Sequence, residues 1–381
     1  MKKLKVMTVF GTRPEAIKMA PLALELKKYP EYIESMVTVT AQHREMLDQV
    51  LDLFSIVPDY DLNIMSHGQT LSDITCKAIK GLEKIFAEAK PDIVLVHGDT
   101  TTTFAGALAA FYQQISVGHV EAGLRTGNKY SPWPEEMNRK LTGAIADYHF
   151  APTTTSAANL LRENVDSESV FITGNTVIDA LINIVQPDFK FPESLNKIDF
   201  NKRLLIVTTH RRENLGEPLR NVYRAIRRII TEFPDTAVVF PMHKNPLVRA
   251  IVDEELSELD RVHLIEPLEY QLFANLIARS HIVLTDSGGV QEEAPALGKP
   301  VLVLRDTTER PEAIAAGTVR LVGTDEEVIY EATRQLLADE QAYAKMSQAV
   351  NPYGDGIASE RIVRTLLWKN GLAKNKPVYF C

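Results

Sequence analysis

Cysteine is almost absent from this chain of 381 residues, which contains only Cys76 and Cys381. Two cysteines so far apart provide neither a disulfide framework nor a Cys-x-x-Cys metal pair. No apolar run approaches the roughly 18 residues of a membrane span. The opening MKKLKVMTVFGTRPE is interrupted by Thr8, Arg13 and Glu15, as expected of a first strand rather than a secretion signal. We therefore expect a cytoplasmic protein.

Two common nucleotide-binding signatures are also missing. Neither half of the chain has Gly-x-Gly-x-x-Gly after its first strand, with an acidic residue about 20 positions further on. This argues against NAD, and we expect no cofactor. The P-loop pattern is absent as well. The net charge of −8 disfavours nonspecific binding to a polyanion such as DNA. Local Arg and Lys residues could still bind a small anionic substrate.

Short apolar runs alternate with longer amphipathic segments, a pattern that predicts parallel sheets with helices on both faces. The predicted strands are Val6–Phe10, Met36–Thr40, Ile93–His97, Ser116–Val120, Tyr148–Ala151, Leu204–Thr208, Ala237–Pro241, Val262–Ile265, Ile282–Thr285 and Val301–Leu304. The segment Gln186–Lys202 contains Pro187 and Pro192, lacks this periodicity and is interpreted as a linker. We predict an α/β protein with two Rossmann-like domains facing a cleft, where ligands bind beyond the carboxyl ends of the strands.

The first predicted strand runs into Gly11-Thr12-Arg13-Pro14-Glu15, and Lys18 follows on the next helix. Backbone N–H groups at this turn, together with Arg13, could hold a phosphate. A simple strand-to-helix turn with solvated charges is an equally good interpretation.

Two neighbouring strands end in a histidine followed two residues later by an acid: His97 with Asp99, and His119 with Glu121. Residues two apart on a strand point to one face, and two acids at neighbouring strand ends suit general acid–base catalysis. A metal site formed by these four residues is an alternative, but the spacing is not typical of zinc sites. Helix capping by Asp99 and Thr100 is another.

The segment Ser131-Pro132-Trp133-Pro134-Glu135 predicts a stiff loop that leads into a helix. Glu135 and Arg139 would share one face of that helix, because they are four residues apart. A surface ion pair is the alternative interpretation.

In the second half, His210 and two arginines follow a strand, which suits a phosphate site or a proton relay. A lone histidine such as His243 is more often structural. The segment from Thr285 to Ala294 is the strongest signal. Ser287, Gly288 and Gly289 precede a helix and form an anion nest suited to a diphosphate, and Glu293 suits a ribose diol.

Seven segments occur in order: VFGTRPEAIKMAP, VHGDTTT, VEAGLRT, SPWPEEMNR, HRREN, TDSGGVQEEAP and RDTTERPEA. With NPYGDG at 351–356, this series resembles the non-hydrolysing bacterial UDP-N-acetylglucosamine 2-epimerases. The resemblance implies the glycosyltransferase B fold. The domains are then 1–185 (N-terminal), 186–202 (linker), 203–357 (UDP-binding) and 358–381, a C-terminal helix and tail that return to the N-terminal domain.

The resemblance also implies a two-step reaction: loss of the C2 proton with expulsion of UDP, and re-addition of UDP to bound 2-acetamidoglucal. No metal is implied. By motif match, Asp99, Glu121 and Glu135 are acid–base candidates, without an assignment of base and acid, and His210 lies near the diphosphate. The substrate-binding candidates are Arg13, Lys18, Arg139, Phe273, Ser287, Gly288, Gly289, Glu293 and Arg310.

Many relatives need UDP-N-acetylglucosamine itself as an activator, and dimerisation is usual among them. The positions that match the activator site are Gln42, His43, Arg211 and His243. Gly68 stands where an arginine is usual and Glu45 where a glutamine is common, so we expect activation to need more effector here. Three rival functions share the fold: a hydrolysing epimerase that releases N-acetylmannosamine and UDP, a retaining glycosyltransferase, and an inactive UDP-sugar sensor.

Overall fold

A computed structural model describes residues 2–41, 44–66, 68–211, 214–308 and 310–380 of the protein. The chain divides into two compact units. Unit 1 comprises Met1–Asn183 and Tyr353–Cys381, and unit 2 comprises Ile184–Pro352. Each unit contains one parallel sheet with helices packed against it.

The sheet of unit 1 has the strand order β3-β2-β1-β4-β5-β6-β7 among the described residues, and all neighbours are parallel. Its central strands β1 and β4 are almost entirely buried and mostly apolar, as expected where helices cover both faces. The order reverses between β1 and β4, which makes the carboxyl ends of these strands the topological switch point. The strands are β1 (Leu4–Phe10), β2 (Ile33–Val39), β3 (Tyr60–Asp61), β4 (Ile93–His97), β5 (Ser116–Val120), β6 (Tyr148–Ala151) and β7 (Val170–Ile172).

Side-chain caps fix where several helices of unit 1 begin. Thr12 and Glu15 form a capping box at the start of α1, and Thr70 and Asp73 form another at the start of α3. Thr100 caps α4. The helices are α1 (Arg13–Leu26), α2 (Arg44–Leu53), α3 (Leu71–Ala89), α4 (Thr101–Tyr112), α5 (Glu135–Ile145), α6 (Thr154–Arg162), α7 (Thr176–Ile184) and, after the chain has passed through unit 2, α15 (Ala358–Lys369).

The sheet of unit 2 has the order β10-β9-β8-β11-β12-β13 over its described residues, again parallel throughout. Its switch point lies between β8 and β11. The strands are β8 (Arg203–Thr208), β9 (Thr236–Pro241), β10 (Val262–Ile265), β11 (Ile282–Thr285), β12 (Val301–Val303) and β13 (Val319–Leu321).

Helix α8 shows how the helices of unit 2 cover their sheet. Its residues Leu219, Val222, Ile226 and Ile229 recur at helical spacing, are buried, and join the core with residues of β8 and β9. The helices are α8 (Glu217–Glu232), α9 (Pro246–Leu256), α10 (Tyr270–Arg279), α11 (Val290–Ala296), α12 (Pro311–Ala316), α13 (Glu326–Ala338) and α14 (Glu340–Ser347).

The predicted α/β class with parallel sheets is confirmed. All ten predicted strands are present, and their bounds differ by at most three residues. Three further strands were not predicted: β3, β7 and β13, which have two or three residues each and form sheet edges. Among the described helices, none is both long and apolar enough to traverse a bilayer.

Helix α15 packs against α1 within unit 1 and has an unusual N-terminus. Its own N-cap residue, Ile357, provides no side-chain cap. The buried Asp179 on α7 caps it instead, because its Oδ1 and Oδ2 accept hydrogen bonds from Ser359 N at 2.7 Å and from Ala358 N at 3.1 Å. One carboxylate therefore fastens the C-terminal helix to unit 1.

We expect Asp179→Ala to lower the free energy of unfolding by about 2–3 kcal/mol, because two buried N–H groups lose their acceptor. The matched control is Asp325→Ala, which removes the exposed cap of α13, a hydrogen bond of 3.0 Å to Val328 N. That change should cost only about 1 kcal/mol. Urea denaturation of both variants measures the difference, and equal losses would show that Asp179 is an ordinary surface cap.

Candidate active site

The turn between β1 and α1 is held by the buried carboxylate of Glu15. Its Oε2 accepts hydrogen bonds from Gly11 N at 3.1 Å and from Thr12 N at 2.8 Å. On the other side, Oε1 accepts a hydrogen bond of 2.6 Å from the Thr100 hydroxyl and lies 3.1 Å from that of Thr103. Glu15 thus ties the start of α1 to the start of α4 across the switch point.

This arrangement corrects one interpretation of the turn. The N–H groups of Gly11 and Thr12, which could have bound a phosphate, already donate to Glu15. Gly11 is needed for close packing, since a Cβ there would lie 2.0 Å from Thr40 Oγ1. Of the side chains near this turn, that of Arg13 is partly exposed, and that of Lys18 donates through Nζ to Glu121.

Glu121 follows β5 and is the centre of a cluster of side chains. Its Oε2 accepts hydrogen bonds from Lys18 Nζ and, at 2.9 Å, from Asn175 Nδ2. His97 Nε2 lies 3.5 Å from the same oxygen, at the outer limit of a hydrogen bond. Burial raises the pKa of Glu121, but the charge of Lys18 and the contact with His97 outweigh it, and the pKa lies well below its usual range. Glu121 is therefore an anion at neutral pH.

The backbone at Glu121 departs from strand geometry. Its φ is 61°, in the left-handed region that non-glycine residues rarely adopt. Gly98 on the neighbouring loop also has a positive φ, of 67°. The alternation of a strand does not continue through such residues, so the spacing from His119 does not fix where the Glu121 side chain points. His119 contacts the Gly98 carbonyl through Nε2 at 2.7 Å.

Asp99 follows β4 and is paired with Arg139 of α5, with 2.6 Å between Oδ2 and Nη2. Arg139 Nη1 lies 3.2 Å from Oε2 of Glu136, which is fully buried. Glu136 in turn accepts hydrogen bonds from Thr126 N at 3.1 Å and Gly127 N at 3.0 Å. The loop before α5, Arg139 and Asp99 therefore form one connected network. The capping residue of α4 is Thr100, not Asp99.

Glu135 and Arg139 both lie on α5, as predicted, and an ion pair between them was the alternative interpretation. Arg139, four residues away, pairs with Asp99 and Glu136 instead. Glu135 Oε2 is buried and has no hydrogen-bond partner among the described residues. A buried carboxylate oxygen without a donor is costly in a structural role. This favours a role for Glu135 toward a ligand.

In unit 2, the buried carboxylate of Asp286 joins the ends of β8 and β11. It accepts hydrogen bonds from His210 N and Arg211 N, both at 2.9 Å, and pairs with His210 Nδ1 at 2.7 Å. Burial raises the pKa of Asp286, but the contacts with His210 and the backbone N–H groups outweigh it and lower the pKa. His210, 40% exposed, is thus held through Nδ1 with its other ring nitrogen free of this contact.

The predicted anion nest lies at the start of α11. Ser287 N already donates to Thr285 Oγ1 at 2.9 Å, so it does not face a ligand. The position that a Cβ of Gly288 would occupy is 3.7 Å from the Arg310 guanidinium, and that of Gly289 has no atom within 4 Å. Arg310 is held by Glu292 at 2.6 Å. The structure thus brings Gly288 and Arg310 together, and Gly289 follows Gly288 directly in the chain.

Glu293 and Phe273 belong to the same part of unit 2. The buried Glu293 accepts a hydrogen bond of 3.0 Å from the Tyr270 hydroxyl. Tyr270 begins α10, and the partly exposed Phe273 lies one turn further along that helix.

Two of the four predicted activator residues lie beside His210. Arg211 Nε is 3.4 Å from the Asp286 carbonyl oxygen, and the exposed His243 ring lies 6.2 Å from the His210 ring, centre to centre. Gln42 and His43 lie outside the described residues. Glu45 is exposed in the first turn of α2, and Gly68 has a φ of 73° with no atom within 4 Å of the place of a Cβ.

Comparison with known proteins identifies the family. The family model for UDP-N-acetylglucosamine 2-epimerase matches residues 25–367. The chain belongs to this family.

Characterised relatives agree over nearly the whole length. A UDP-N-acetylglucosamine 2-epimerase of Bacillus subtilis is 65% identical over 380 residues, which cover 100% of this chain and 99% of the relative. One from Escherichia coli K12 is 60% identical over 370 residues, 95% and 98% of the two chains. The crystal structure of a UDP-GlcNAc 2-epimerase from Neisseria meningitidis, bound to UDP-GlcNAc, is 55% identical with a TM-score of 0.84, and the match covers 96% of this chain and all of that one.

A more distant structure bears on the fold alone. The glycosyltransferase of kitacinnamycin is 12% identical, with a TM-score of 0.63 over 96% of this chain and 100% of its own. The epimerase family fold and that of a glycosyltransferase therefore share the two-sheet architecture, in agreement with the predicted glycosyltransferase B fold class.

The metal alternative gains no support from the geometry. His119 Nε2 is bonded to a backbone carbonyl and Asp99 to Arg139. Over the described ranges, no group of three or more His, Cys, Asp or Glu residues could hold a metal ion.

Four residues that support the site in this epimerase family member were not among the predicted site residues. Glu15, Glu136, Asn175 and Asp286 each hold a loop or a candidate catalytic side chain. The capping-box pattern Thr-x-x-Glu at residues 12–15 is a signal that could have found Glu15. Nothing local connects Asn175 with Glu121, which is 54 positions away.

His119 makes the stability of the protein depend on pH. Burial lowers its pKa to about 3, so the folded protein keeps it neutral. In the unfolded chain, imidazole binds a proton below its ordinary pKa of about 6.5. The unfolded state therefore gains protons first, and stability contributed by neutral His119 is lost as pH falls from about 6.5 toward 3.

As the pH falls from 7 to 5, we expect protonation of His119 in the unfolded chain to lower the free energy of unfolding by about 2 kcal/mol. His119→Gln should show a correspondingly smaller loss over that interval, whatever its stability at pH 7. Denaturant titration of both proteins at the two pH values tests this. Other buried histidines contribute equally to both and cancel, so identical losses would contradict the assignment.

Proposed function

We propose that this protein reversibly epimerises C2 of UDP-N-acetylglucosamine, giving UDP-N-acetylmannosamine, without hydrolysing the nucleotide sugar. The observation that carries the proposal is the pair of carboxylates at the ends of β4 and β5. Asp99 and Glu121 are each held by one cation, Arg139 and Lys18 respectively. The family membership and the Neisseria relative bound to UDP-GlcNAc support the substrate.

The chemistry is an elimination followed by an addition. A base removes the C2 proton, the C–H electron pair forms the C1–C2 double bond, and the C1–O pair leaves with UDP. Addition of UDP to the resulting 2-acetamidoglucal reverses these steps, with the proton delivered to the other face of C2. Inversion therefore needs proton-transfer groups on both faces, each contributing typically 10²–10⁴-fold to the rate.

The carboxylates of unit 1 would carry out the proton transfers. Glu121 is ionised at neutral pH, Asp99 is oriented by Arg139, and Glu135 has an oxygen without a donor among the described residues. Arg13 and Lys18 provide positive charge at the same edge of the sheet for the anionic substrate.

Unit 2 would bind UDP. Asp286 fixes His210 through Nδ1, which leaves Nε2 to hydrogen-bond the diphosphate as it departs. Gly288, Gly289 and Arg310 suit the diphosphate itself, with Ser287 fixing the turn. Glu293 would bind the ribose diol and Phe273 would pack on the uracil.

We propose no cofactor for this reaction, a homodimeric assembly and a cytoplasmic location.

Proton NMR of UDP-N-acetylglucosamine with the protein in D2O tests the function against its rivals. The proposal predicts a second UDP-sugar with deuterium at C2. Free N-acetylmannosamine with UDP would identify a hydrolysing epimerase. Turnover only with an added acceptor would identify a glycosyltransferase, and an unchanged spectrum would identify a sensor. Each of these three results would overturn the proposal.

The same assay tests the carboxylates. Asp99→Asn, Glu121→Gln and Glu135→Gln should each lower kcat by roughly 10²–10⁴-fold while substrate binding changes much less. Glu163→Gln is the matched control, because Glu163 pairs with Arg125 on the surface and touches none of the three. Near wild-type turnover in all three variants would refute the assignment of these carboxylates as the acid and base.

We also propose activation by UDP-N-acetylglucosamine through Arg211, His243, Gln42 and His43, weakened by Gly68 and Glu45. Gly68→Arg should lower the half-activating concentration about tenfold, the worth of one charge-assisted contact. Gly68→Ala is the matched control, since it carries the same cost of a positive φ without the charge. The assay starts from UDP-N-acetylmannosamine with added UDP-N-acetylglucosamine. A wild type fully active without effector would contradict the idea, as would equal constants for the two variants.

A further inference from the structure

Asn175 directly precedes α7, and hydrogen bonds hold both its backbone and its side chain. Its backbone N–H donates to the Tyr353 carbonyl at 2.6 Å, and its Oδ1 accepts from Val177 N at 3.1 Å. Because Oδ1 is the acceptor, the other end of the amide is the NH2 group. That group donates to Glu121 Oε2 at 2.9 Å. Asn175 is buried, so this geometry is fixed by packing as well.

The contacts of the Glu121 carboxylate are one-sided. Lys18 Nζ, Asn175 Nδ2 and, more distantly, His97 Nε2 all approach Oε2. No hydrogen bond to Oε1 comes from another residue in the described part of the chain. This oxygen faces Gly98, whose absent Cβ would lie 3.9 Å away. One oxygen is thus anchored, and the other is left beside a position without a side chain.

We infer that Asn175 is a positioning residue for Glu121: with Lys18 it occupies Oε2 and so leaves Oε1 to exchange the proton with the substrate. The inference rests on the proposed function, in which Glu121 transfers a proton. It adds a residue outside the matched motifs, and it gives the two oxygens of Glu121 different roles.

The segment that returns from unit 2 takes part in this positioning. Tyr353 begins the second stretch of chain that belongs to unit 1, and its carbonyl receives the Asn175 N–H. A Cβ on Gly174 would lie 3.3 Å from Gly354 Cα, so the turn bearing Asn175 packs directly on this segment. The orientation of Glu121 therefore depends on residues that lie far apart in the sequence.

The electrostatic consequence has a definite sign. The charged or titratable groups recorded at Glu121 are Lys18 from α1 and His97 from β4, and the α7 side contributes the neutral Asn175. Loss of the Asn175 donor destabilises the ionised carboxylate and raises its pKa. Whether Glu121 accepts or donates the proton in the direction assayed, the limb of the pH–rate profile that it governs then moves to higher pH.

The test is the pH dependence of kcat/KM for the full chain. Asn175→Leu should move that limb up by about one pH unit, the shift expected for loss of one hydrogen bond to a charged group. Asn175→Asp keeps the shape and the acceptor for Val177, but it places a second carboxylate beside Oε2 and should move the limb further. In both variants kcat should fall roughly tenfold or more, with a smaller change in KM.

Thr173→Val is the matched control, since the Thr173 hydroxyl bonds the Gly174 carbonyl at 3.0 Å in the same turn and does not touch Glu121. It should change thermal stability without moving the limb. If Asn175→Leu does not fold, by circular dichroism, Asn175→Asp carries the test. Unmoved profiles in the folded Asn175 variants, or an equal shift in Thr173→Val, would overturn the inference. A wild type that does not exchange deuterium at C2 would instead refute the proposed function.

Discussion

One buried carboxylate at each switch point is the constraint on which both halves of the structure depend. Parallel strands deliver their loops and helix N-termini to the same edge of a sheet, and at the switch point neighbouring loops diverge. Glu15 in unit 1 and Asp286 in unit 2 each join the two diverging loops. A carboxylate so fully buried is tolerable only because several N–H and O–H groups donate to it. Each therefore fixes the loops and is fixed by them.

Backbone N–H groups that donate to Glu15 or Asp286 do not also bind a ligand. In unit 1 the turn after β1 has given its first N–H groups to Glu15, and the side chain of Lys18 donates to Glu121. In unit 2 a Cβ on Gly288 would lie 3.7 Å from the Arg310 guanidinium, and the place of a Cβ on Gly289 has no atom within 4 Å. The two switch points thus acquire different chemistry from the same topology. One presents carboxylates restrained by cations, which suits proton transfer. The other presents glycine backbone next to the cation of Arg310, which suits a diphosphate.

The sequence was a good guide wherever the determining interactions are local. Fully buried apolar runs such as Ile93–His97 identify central strands, while the short edge strands β3, β7 and β13 carry too few residues to show a pattern. Since ligand sites follow the carboxyl ends of parallel strands, Asp99, Glu121 and His210 could be placed at those ends. Their partners could not. Helical spacing placed Arg139 near Glu135 on α5, but this guanidinium pairs with Asp99 and Glu136. The positive φ of Glu121 and its contact with Asn175 depend on distant segments and leave no local signal.

Glu121 shows what such a site costs the fold. A non-glycine residue in the left-handed region costs roughly 1–3 kcal/mol, and a buried ion pair such as that of Lys18 with Glu121 seldom recovers its desolvation penalty in stability. Neither feature would be retained for packing alone, because a glycine and a neutral side chain would fold more easily here. The surrounding structure instead over-determines the carboxylate: α1 supplies Lys18, β4 supplies His97, and the turn before α7 supplies Asn175, itself held by the returning segment at Tyr353. Three elements converge on one oxygen, which is the arrangement expected when the position of the other oxygen is what matters.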